Sequence, residues 1–304
     1  MSDFLSIGYL VLAHADPQHF GRLLRRLHAP WAHFTVHVDA KADMAAFERA
    51  AGGVSNVTFC RRRVDVRWAG FSVVEATLSL IETAASGSVE VQRFVLLSGA
   101  DYPIVPRARI QAFFAAAPDR EYIRGFSVLG SHPSQEWKVR GWHWRDLANR
   151  GEFLRKPLAV VERLARMFPR NTLKRRPVVM GSQWWSLTRN CALHCLERSQ
   201  DDRVLRRDFS VSYAPDEMFF HTIVHDSFFA PAAGRLEPYD VSVARDRDLR
   251  AYANLHFLNG ITIDTPARAE VVFNNPEGFL FARKFESGRS AAALAVLDDL
   301  MDAV

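Results

Sequence analysis

Residues Arg93 to Ile104 read RFVLLSGADYPI, and the fold can be worked outward from them. Phe94–Leu97 is a short apolar run of the kind a fully buried strand shows. Ser98, Gly99 and Ala100 are small, so a ligand or another backbone can come close. Asp101 follows at once, and Pro103 should stop the run from continuing as a ladder. In an open α/β sheet ligands bind beyond the carboxyl ends of strands, which makes Asp101 a candidate site residue. The competing reading is an aspartate that only makes a turn or caps a helix.

Strand and helix patterns alternate on either side. Ser6–Ala13, Phe34–Val38 and Val57–Phe59 read as strands. Phe20, Leu23, Leu24 and Leu27 recur at helical spacing, and helices are expected over Met44–Ala51 and Ile110–Ala117. Ser72 with Glu75 reads as a capping box that opens another helix. Further strands are expected over Glu121–Phe126 and Val178–Leu187, and helices over Arg189–Leu196 and Ala291–Val304. In Ser212–Val224, Pro215 suits a helix start, with Asp216 and Glu217 in the first turn, where the helix dipole favours carboxylates. Phe279–Phe285, FLFARKF, holds two cations between phenylalanines. The segment from Asp240 to Pro276 resists assignment. This order argues for an α/β fold with a central mixed, mainly parallel sheet and helices on both faces.

The 304 residues are 48% hydrophobic and 24% charged, an ordinary globular composition. A net charge of +5 suits an anionic partner such as a nucleotide diphosphate, an anionic lipid or nucleic acid. Cys60, Cys191 and Cys195 are too few for a disulfide framework and fit a reducing compartment. The N-terminal run has no basic region before it and ends at Asp16-Pro17. It reads as a first strand, with neither signal peptide nor membrane anchor, and a cytoplasmic location is expected. Arg155–Arg176 is rich in Arg and Lys, with Leu158, Val161 and Leu164 on one side. That pattern suits a peripheral contact with the anionic inner face of the cytoplasmic membrane, or a solvated surface helix. Trp137, Trp142 and Trp144 lie among Glu136, Lys138, Arg140 and Arg145, which suits sugar stacking or a small hydrophobic cluster under a loop.

Several chemistries find no support. There is no phosphate-cradling G-x-x-x-x-G-K-[ST] loop, no G-x-G-x-x-G after the first strand, and no nucleic-acid-binding module. No metal-ligand spacing stands out, and Asp246-Arg247-Asp248 lies in a highly charged loop. What remains is Asp39 and Asp101 at strand ends, Glu217, and Arg283-Lys284. A carboxylate can act as general base, and adjacent cations can stabilise a departing diphosphate. Those parts suffice for glycosyl transfer from a nucleotide sugar without a metal.

Six stretches, in order, resemble the core-2/I-branching β-1,6-N-acetylglucosaminyltransferase family, which includes the peptide O-xylosyltransferases. They are VHVDAK (Val36–Lys41), VRWAGFS (Val66–Ser72), LLSGADYPI (Leu96–Ile104), GSQWWSLTR (Gly181–Arg189), APDEMFFHTIV (Ala214–Val224) and FARKFE (Phe281–Glu286). The resemblance implies a GT-A-like three-layer α/β/α fold, a UDP-sugar donor, inversion at the anomeric carbon, and no metal cofactor. It matches Asp39 to an aspartate on uracil or ribose, and Arg283 and Lys284 to a basic pair at the diphosphate. Glu217 matches the general base of the branching enzymes, whereas the xylosyltransferases assign that role to the aspartate matching Asp101. His14, Trp68 and Ser98 are counted with the donor, and Trp137, Arg140, Trp184 and Asp216 with the acceptor. One glycosyltransferase domain over 1–304 is expected, with 1–126 as nucleotide-binding half and 127–304 as acceptor and diphosphate half. The acceptor would be a saccharide or lipid-linked saccharide in bacterial surface polysaccharide synthesis. GlcNAc is the favoured sugar; xylose or glucuronic acid transfer, or an inactive glycan- or membrane-binding homologue, are the alternatives. The usual W-G-G of bacterial relatives is Trp68-Ala69-Gly70 here, and the stem and anchor of the Golgi members are not seen.

Overall fold

Strand β1 (Ile7–Ala13) is buried on both faces, and its alternation builds two cores. Ile7, Tyr9, Val11 and Ala13 face one core, and Leu10 faces the other. β4 (Arg93–Ser98) alternates the same way, with Val95 and Leu97 on the first side and Phe94 and Leu96 on the second. A strand apolar on both faces belongs in the middle of an α/β sheet. In this computed structural model, residues 4–165, 167, 168, 170, 176–239, 252–258, 260–275 and 277–304 are described.

The other strands are β2 (Ala32–Val38), β3 (Val57–Phe59), β5 (Asp101–Pro103), β6 (Phe126–Ser127), β7 (Val179–Met180), β8 (Ser186–Thr188), β9 (His256–Leu258) and β10 (Phe281–Arg283). Five form one sheet in the order β3-β2-β1-β4-β8. All pairings in it are parallel except that of β8 with β4. The helices Pro17–Leu27 and Ala291–Asp302 contribute Phe20, Leu23, Leu294 and Leu297 to the first core. The helices Ser72–Ala85, Arg189–Asp201 and Phe219–His225 contribute Val74, Ile81, Cys191, Cys195 and Phe220 to the second. The mixed, mainly parallel sheet between two helical layers is the three-layer α/β/α arrangement expected from the sequence. All three cysteines are free and buried, in keeping with small apolar roles.

Four local expectations need correction. Pro103 does not end pairing: Asp101–Pro103 is itself a strand, antiparallel to β10 with Asp101 opposite Arg283. Val178–Leu187 is two short strands, β7 and β8, broken at Gly181. A Cβ at Gly181 would collide with the Arg124 carbonyl, so close backbone approach sets that break. Glu121–Phe126 pairs near its ends, through isolated bridges from Tyr122 to Ser186 and from Phe126 to Glu237 and through β6. Finally, Ser72 and Glu75 form no capping box. Ser72 is the first helical residue and Phe71 the cap, without a side-chain bond. Glu75 instead pairs with Arg206 at 3.3 Å.

The capping acceptor comes from elsewhere in the chain. The Asp146 carboxylate accepts from Phe71 N at 2.8 Å, from Ser72 N at 3.3 Å, and from Ser72 Oγ. Gly70 permits this approach, since a Cβ there would strike the same carboxylate. Asp146 also opens the short helix Arg145–Ala148 beside the site described below. Asp146→Ala should therefore cost about 1–2 kcal/mol, as lost N-caps do, whereas Glu75→Gln should cost under about 0.5 kcal/mol, as surface pairs do. Urea denaturation of the two variants checks the assignment, and the reverse order of losses would restore the capping box.

Candidate active site

At the carboxyl end of β4 the chain buries a carboxylate. Asp101 is fully shielded from solvent. Its Oδ1 accepts from Ser98 Oγ at 2.7 Å and from the Arg283 guanidinium at 2.9 Å. Oδ2 accepts from Ser98 N at 2.8 Å and lies 3.1 Å from His256 Nε2. An ionised carboxylate only accepts, so His256 Nε2 carries the proton. Burial alone would favour the neutral acid, but Arg283, His256 and the Ser98 N–H hold the Asp101 carboxyl well below the usual range. Arg283 also bonds Ser98 Oγ, and its guanidinium stacks 4.5 Å above the Trp184 ring.

Above this cluster opens a cavity of about 950 Å³. Its wall includes His14, Asp39, Lys41 and Trp68 from the first part of the chain. Trp137, Lys138, Gln183, Tyr213, Asp216, Glu217, Arg283 and Lys284 come from the second. Asp39 stands just past β2 and is nearly buried. Lys41 Nζ donates to both of its oxygens at 2.8 Å, and to Asp65 at 2.7 Å. The His14 imidazole is held below its ordinary pKa, first by burial and then by the charges of Arg283, Lys284 and Lys41 against the opposing pull of Asp39. The Lys284 ammonium is lowered chiefly by its neighbour Arg283 and further by burial. Two cations side by side at one wall form a ready seat for an anion. Trp68 is 73% exposed and meets Tyr213 edge-on at 5.8 Å, while Trp137 lies 4.8 Å from the same ring. Such aromatic faces suit the apolar side of a sugar or a base.

Asp216 and Glu217 sit together on the wall. They lie in a short 3-10 turn, Pro215–Glu217, and the α-helix starts only at Phe219. The expectation that they lie in the first turn of a helix, where its dipole favours carboxylates, is corrected accordingly. Three backbone bonds aim the turn instead: Ala214 N to Ala69 O at 3.1 Å, Glu217 N to Ala214 O at 3.2 Å, and Gly181 N to Glu217 O at 3.0 Å. Ala69, the middle residue of Trp68-Ala69-Gly70, takes the left-handed conformation at φ 58°. Glycine adopts that region without steric cost. Lys138 Nζ donates to Glu217 Oε2 at 3.2 Å and fixes the direction of that side chain. Asp216 Oδ1 is sealed from solvent and has no hydrogen-bond partner among the described residues. Burial, and then the charge of Glu217, push the Asp216 carboxyl up to about 7.

The sequence-derived residues thus divide. His14, Asp39, Trp68, Trp137, Asp216, Glu217, Arg283 and Lys284 share one cavity. Asp101, Ser98 and Trp184 lie beneath it and hold Arg283, and Asp101 as placed has both oxygens occupied by protein donors. Arg140 is turned away onto Glu136, at 2.8 Å. Lys41, Lys138, Tyr213, Gln183 and His256 were not singled out from the sequence. Lys41 follows Asp39 by two residues and Lys138 sits in the tryptophan-rich stretch, so spacing offered a signal for those two. His256 lies in the segment that resisted assignment. The Asp246-Arg247-Asp248 triplet and residues 171–175 lie outside the described residues. Among the described residues no group of three or more His, Cys, Asp or Glu could hold a metal ion.

Taken together, the fold and the cavity define an α/β protein with a cationic seat, a carboxylate pair and aromatic walls in one site. Comparison with known proteins gives that class a family. Residues 7–230 match the model of the Core-2/I-Branching enzyme, and the chain belongs to that family. The sheep beta-1,3-galactosyl-O-glycosyl-glycoprotein beta-1,6-N-acetylglucosaminyltransferase 3 is 26% identical over 71% of this chain and 46% of its own length. The human protein of that name is 24% identical over 78% of this chain and 51% of its own length. A bovine herpesvirus 4 beta-1,6-N-acetylglucosaminyltransferase is 24% identical over 82% of this chain and 52% of its own. The chain spans about half the length of these relatives. A solved structure, the apo form of mouse xyloside xylosyltransferase 1, shows 12% identity and a TM-score of 0.34, covering 81% of this chain and 93% of that one.

The raised Asp216 gives a signed pH prediction. Between the usual carboxyl pKa, near 4, and about 7, the folded state binds more protons here than the unfolded state. Stability therefore falls as pH rises through that window and levels off above it. Asp216→Asn removes the effect. Its stability advantage over the parent should widen up to about pH 7, reach on the order of a few kcal/mol at most, and then stay constant. Chemical denaturation from pH 5 to 8.5 (a range of roughly 2 units below and 1.5 above that point) measures it. A difference flat across the range would show that Asp216 ionises at an ordinary pH.

Proposed function

We propose that the chain is an inverting glycosyltransferase that moves a sugar, GlcNAc in the favoured case, from a UDP-sugar to a saccharide hydroxyl. The observation that carries this reading is one cavity holding both the Arg283–Lys284 cation pair and the Glu217 carboxylate. Membership of the Core-2/I-branching family and the names of the relatives support the choice of sugar.

In this reading Glu217 takes the proton of the acceptor hydroxyl as its oxygen attacks the anomeric carbon. The bond from that carbon to the diphosphate oxygen breaks, with inversion, and the electron pair leaves with UDP. Lys284 and Arg283 stabilise the charge that grows there, a role that needs no metal. Asp39 and His14 would contact the uridine, with Lys41 yielding or sharing the carboxylate. Trp68, Trp137 and Tyr213 would flank the sugars, and Asp216 would meet an acceptor hydroxyl as a hydrogen-bond donor when protonated. Asp101 acts through Arg283 as a positioning residue. The two stretches 1–126 and 127–304 would serve as nucleotide and acceptor halves, since the cavity draws on both.

A screen of UDP-sugars by UDP release, with saccharide acceptors added, tests the reading. UDP-GlcNAc should give the highest turnover, unchanged by EDTA. Glu217→Gln should lower transfer by about 10²- to 10⁴-fold, the usual cost of a lost general base, and keep UDP affinity. Lys284→Ala should lower both turnover and UDP affinity. Near-parental transfer by Glu217→Gln would reassign the base, and activity lost to EDTA and restored by manganese would refute metal independence.

A further inference from the structure

The helix Glu152–Ala165 turns its apolar residues outward. Phe153, Val160, Val161 and Leu164 are 78%, 59%, 47% and 59% exposed, and Met167 and Phe168 just beyond are each 72% exposed. At 100° per residue, Phe153, Val160 and Leu164 fall on one stripe, with Val161 at its border. Large side chains exposed together in this way mark a contact surface. The exposed Lys156 and Arg163, seven residues apart, flank one side of the stripe, and the exposed Arg155 lies beyond them. Glu162, the acid of this helix whose side chain is described, points inward. It accepts from Trp144 N at 3.0 Å and lies 3.6 Å from Arg145, which lines the cavity.

The basic stretch is therefore divided differently from the expectation for Arg155–Arg176. Arg170 is buried, and donates to the carbonyls of Val211 at 2.8 Å and Asp208 at 2.5 Å. Arg176 pairs with Asp202 at 2.6 Å. These two brace the fold, and among the described residues the outward cations of the stretch are those of the helix itself.

An outward apolar stripe edged by Lys and Arg matches the boundary of an anionic bilayer. Phe and Leu enter the upper acyl region while the cations meet lipid phosphates. A second copy of the chain fits less well, because the described charges beside the stripe are basic and offer it no acidic complement. Among the described residues no helix is long and apolar enough to cross a membrane, so the contact would lie along the surface. We propose that the helix Glu152–Ala165, with Met167 and Phe168, docks this protein on an anionic lipid surface. The proposal does not depend on the transfer chemistry, although the inner face of the same helix holds the cavity wall at Arg145.

The test is co-sedimentation of the full chain with vesicles of phosphatidylcholine alone and of phosphatidylcholine mixed with phosphatidylglycerol. Binding should be confined largely to the anionic vesicles and weaken as salt is raised. Lys156→Ala with Arg163→Ala should lower partitioning by about ten- to thirtyfold. Phe153→Ser with Leu164→Ser should lower it as well, and both pairs should keep the parental melting temperature because the sites are exposed. Failure to bind either vesicle, equal binding to both, or parental binding by the charge variant would overturn the proposal. So would a dimer in sedimentation velocity that Phe153→Ser with Leu164→Ser splits, since that would assign the stripe to a second copy.

Discussion

The ion pair between Asp101 and Arg283 constrains the site more than any other contact. A buried carboxylate left without partners costs several kcal/mol, so Asp101 is tolerable only where four donors meet it. Ser98 supplies two of them from the end of β4, His256 one from β9, and Arg283 one from β10. The backbone ladder makes the same demand, with Asp101 opposite Arg283 and Phe285 N donating to Ala100 O at 2.9 Å. Charge and register therefore agree on where β10 lies. Lys284 follows on the same strand end and is delivered to the cavity wall by that agreement.

The central sheet was legible because β1 and β4 are apolar on both faces, and that pattern has few alternatives to a buried parallel strand. The short strands were not. β5 consists of Asp101, Tyr102 and Pro103, two of them residue types that strands usually avoid. It persists because β10 needs an antiparallel partner and Asp101 needs a cation. The helix at Ser72 shows the same limit. Its local sequence offers a capping box, yet the acceptor is Asp146, 74 residues away. A carboxylate that accepts from Phe71 N, Ser72 N and Ser72 Oγ together outcompetes a box that satisfies two donors, and nothing local announces it.

The site was legible to the extent that its residues stand at strand ends and turns. Asp39 and Glu217 were found that way, and both line the cavity. Ser98 and Asp101 were singled out because small and acidic residues at a strand end suit a ligand, and Trp184 because the family resemblance counts it with the acceptor. Each instead fixes the guanidinium of Arg283, by hydrogen bond, charge or stacking. Sequence spacing cannot separate a residue that touches a ligand from one that orients the residue that does. The difference is one layer of depth, which only the three-dimensional arrangement records.

That layering bears on the proposed chemistry. Each carboxylate of the cluster with a fixed direction has a cation of its own: Asp101 has Arg283 at 2.9 Å, Asp39 has Lys41 at 2.8 Å, and Glu217 has Lys138 at 3.2 Å. Pairing of this kind orients a side chain and also opposes stray binding of a metal or a second cation. Among the described residues the Asp216 carboxyl, which lines the cavity without a cation of its own, and the Lys284 ammonium depressed by Arg283 stand outside it. A neutral acid can donate to a sugar hydroxyl, and a crowded ammonium gains from an anion. A ligand carrying both a diphosphate and hydroxyl groups would relieve both at once, whereas a simple anion or a neutral glycan would relieve only one. The proposed nucleotide sugar would therefore suit these two groups better than a simple anion or a neutral glycan.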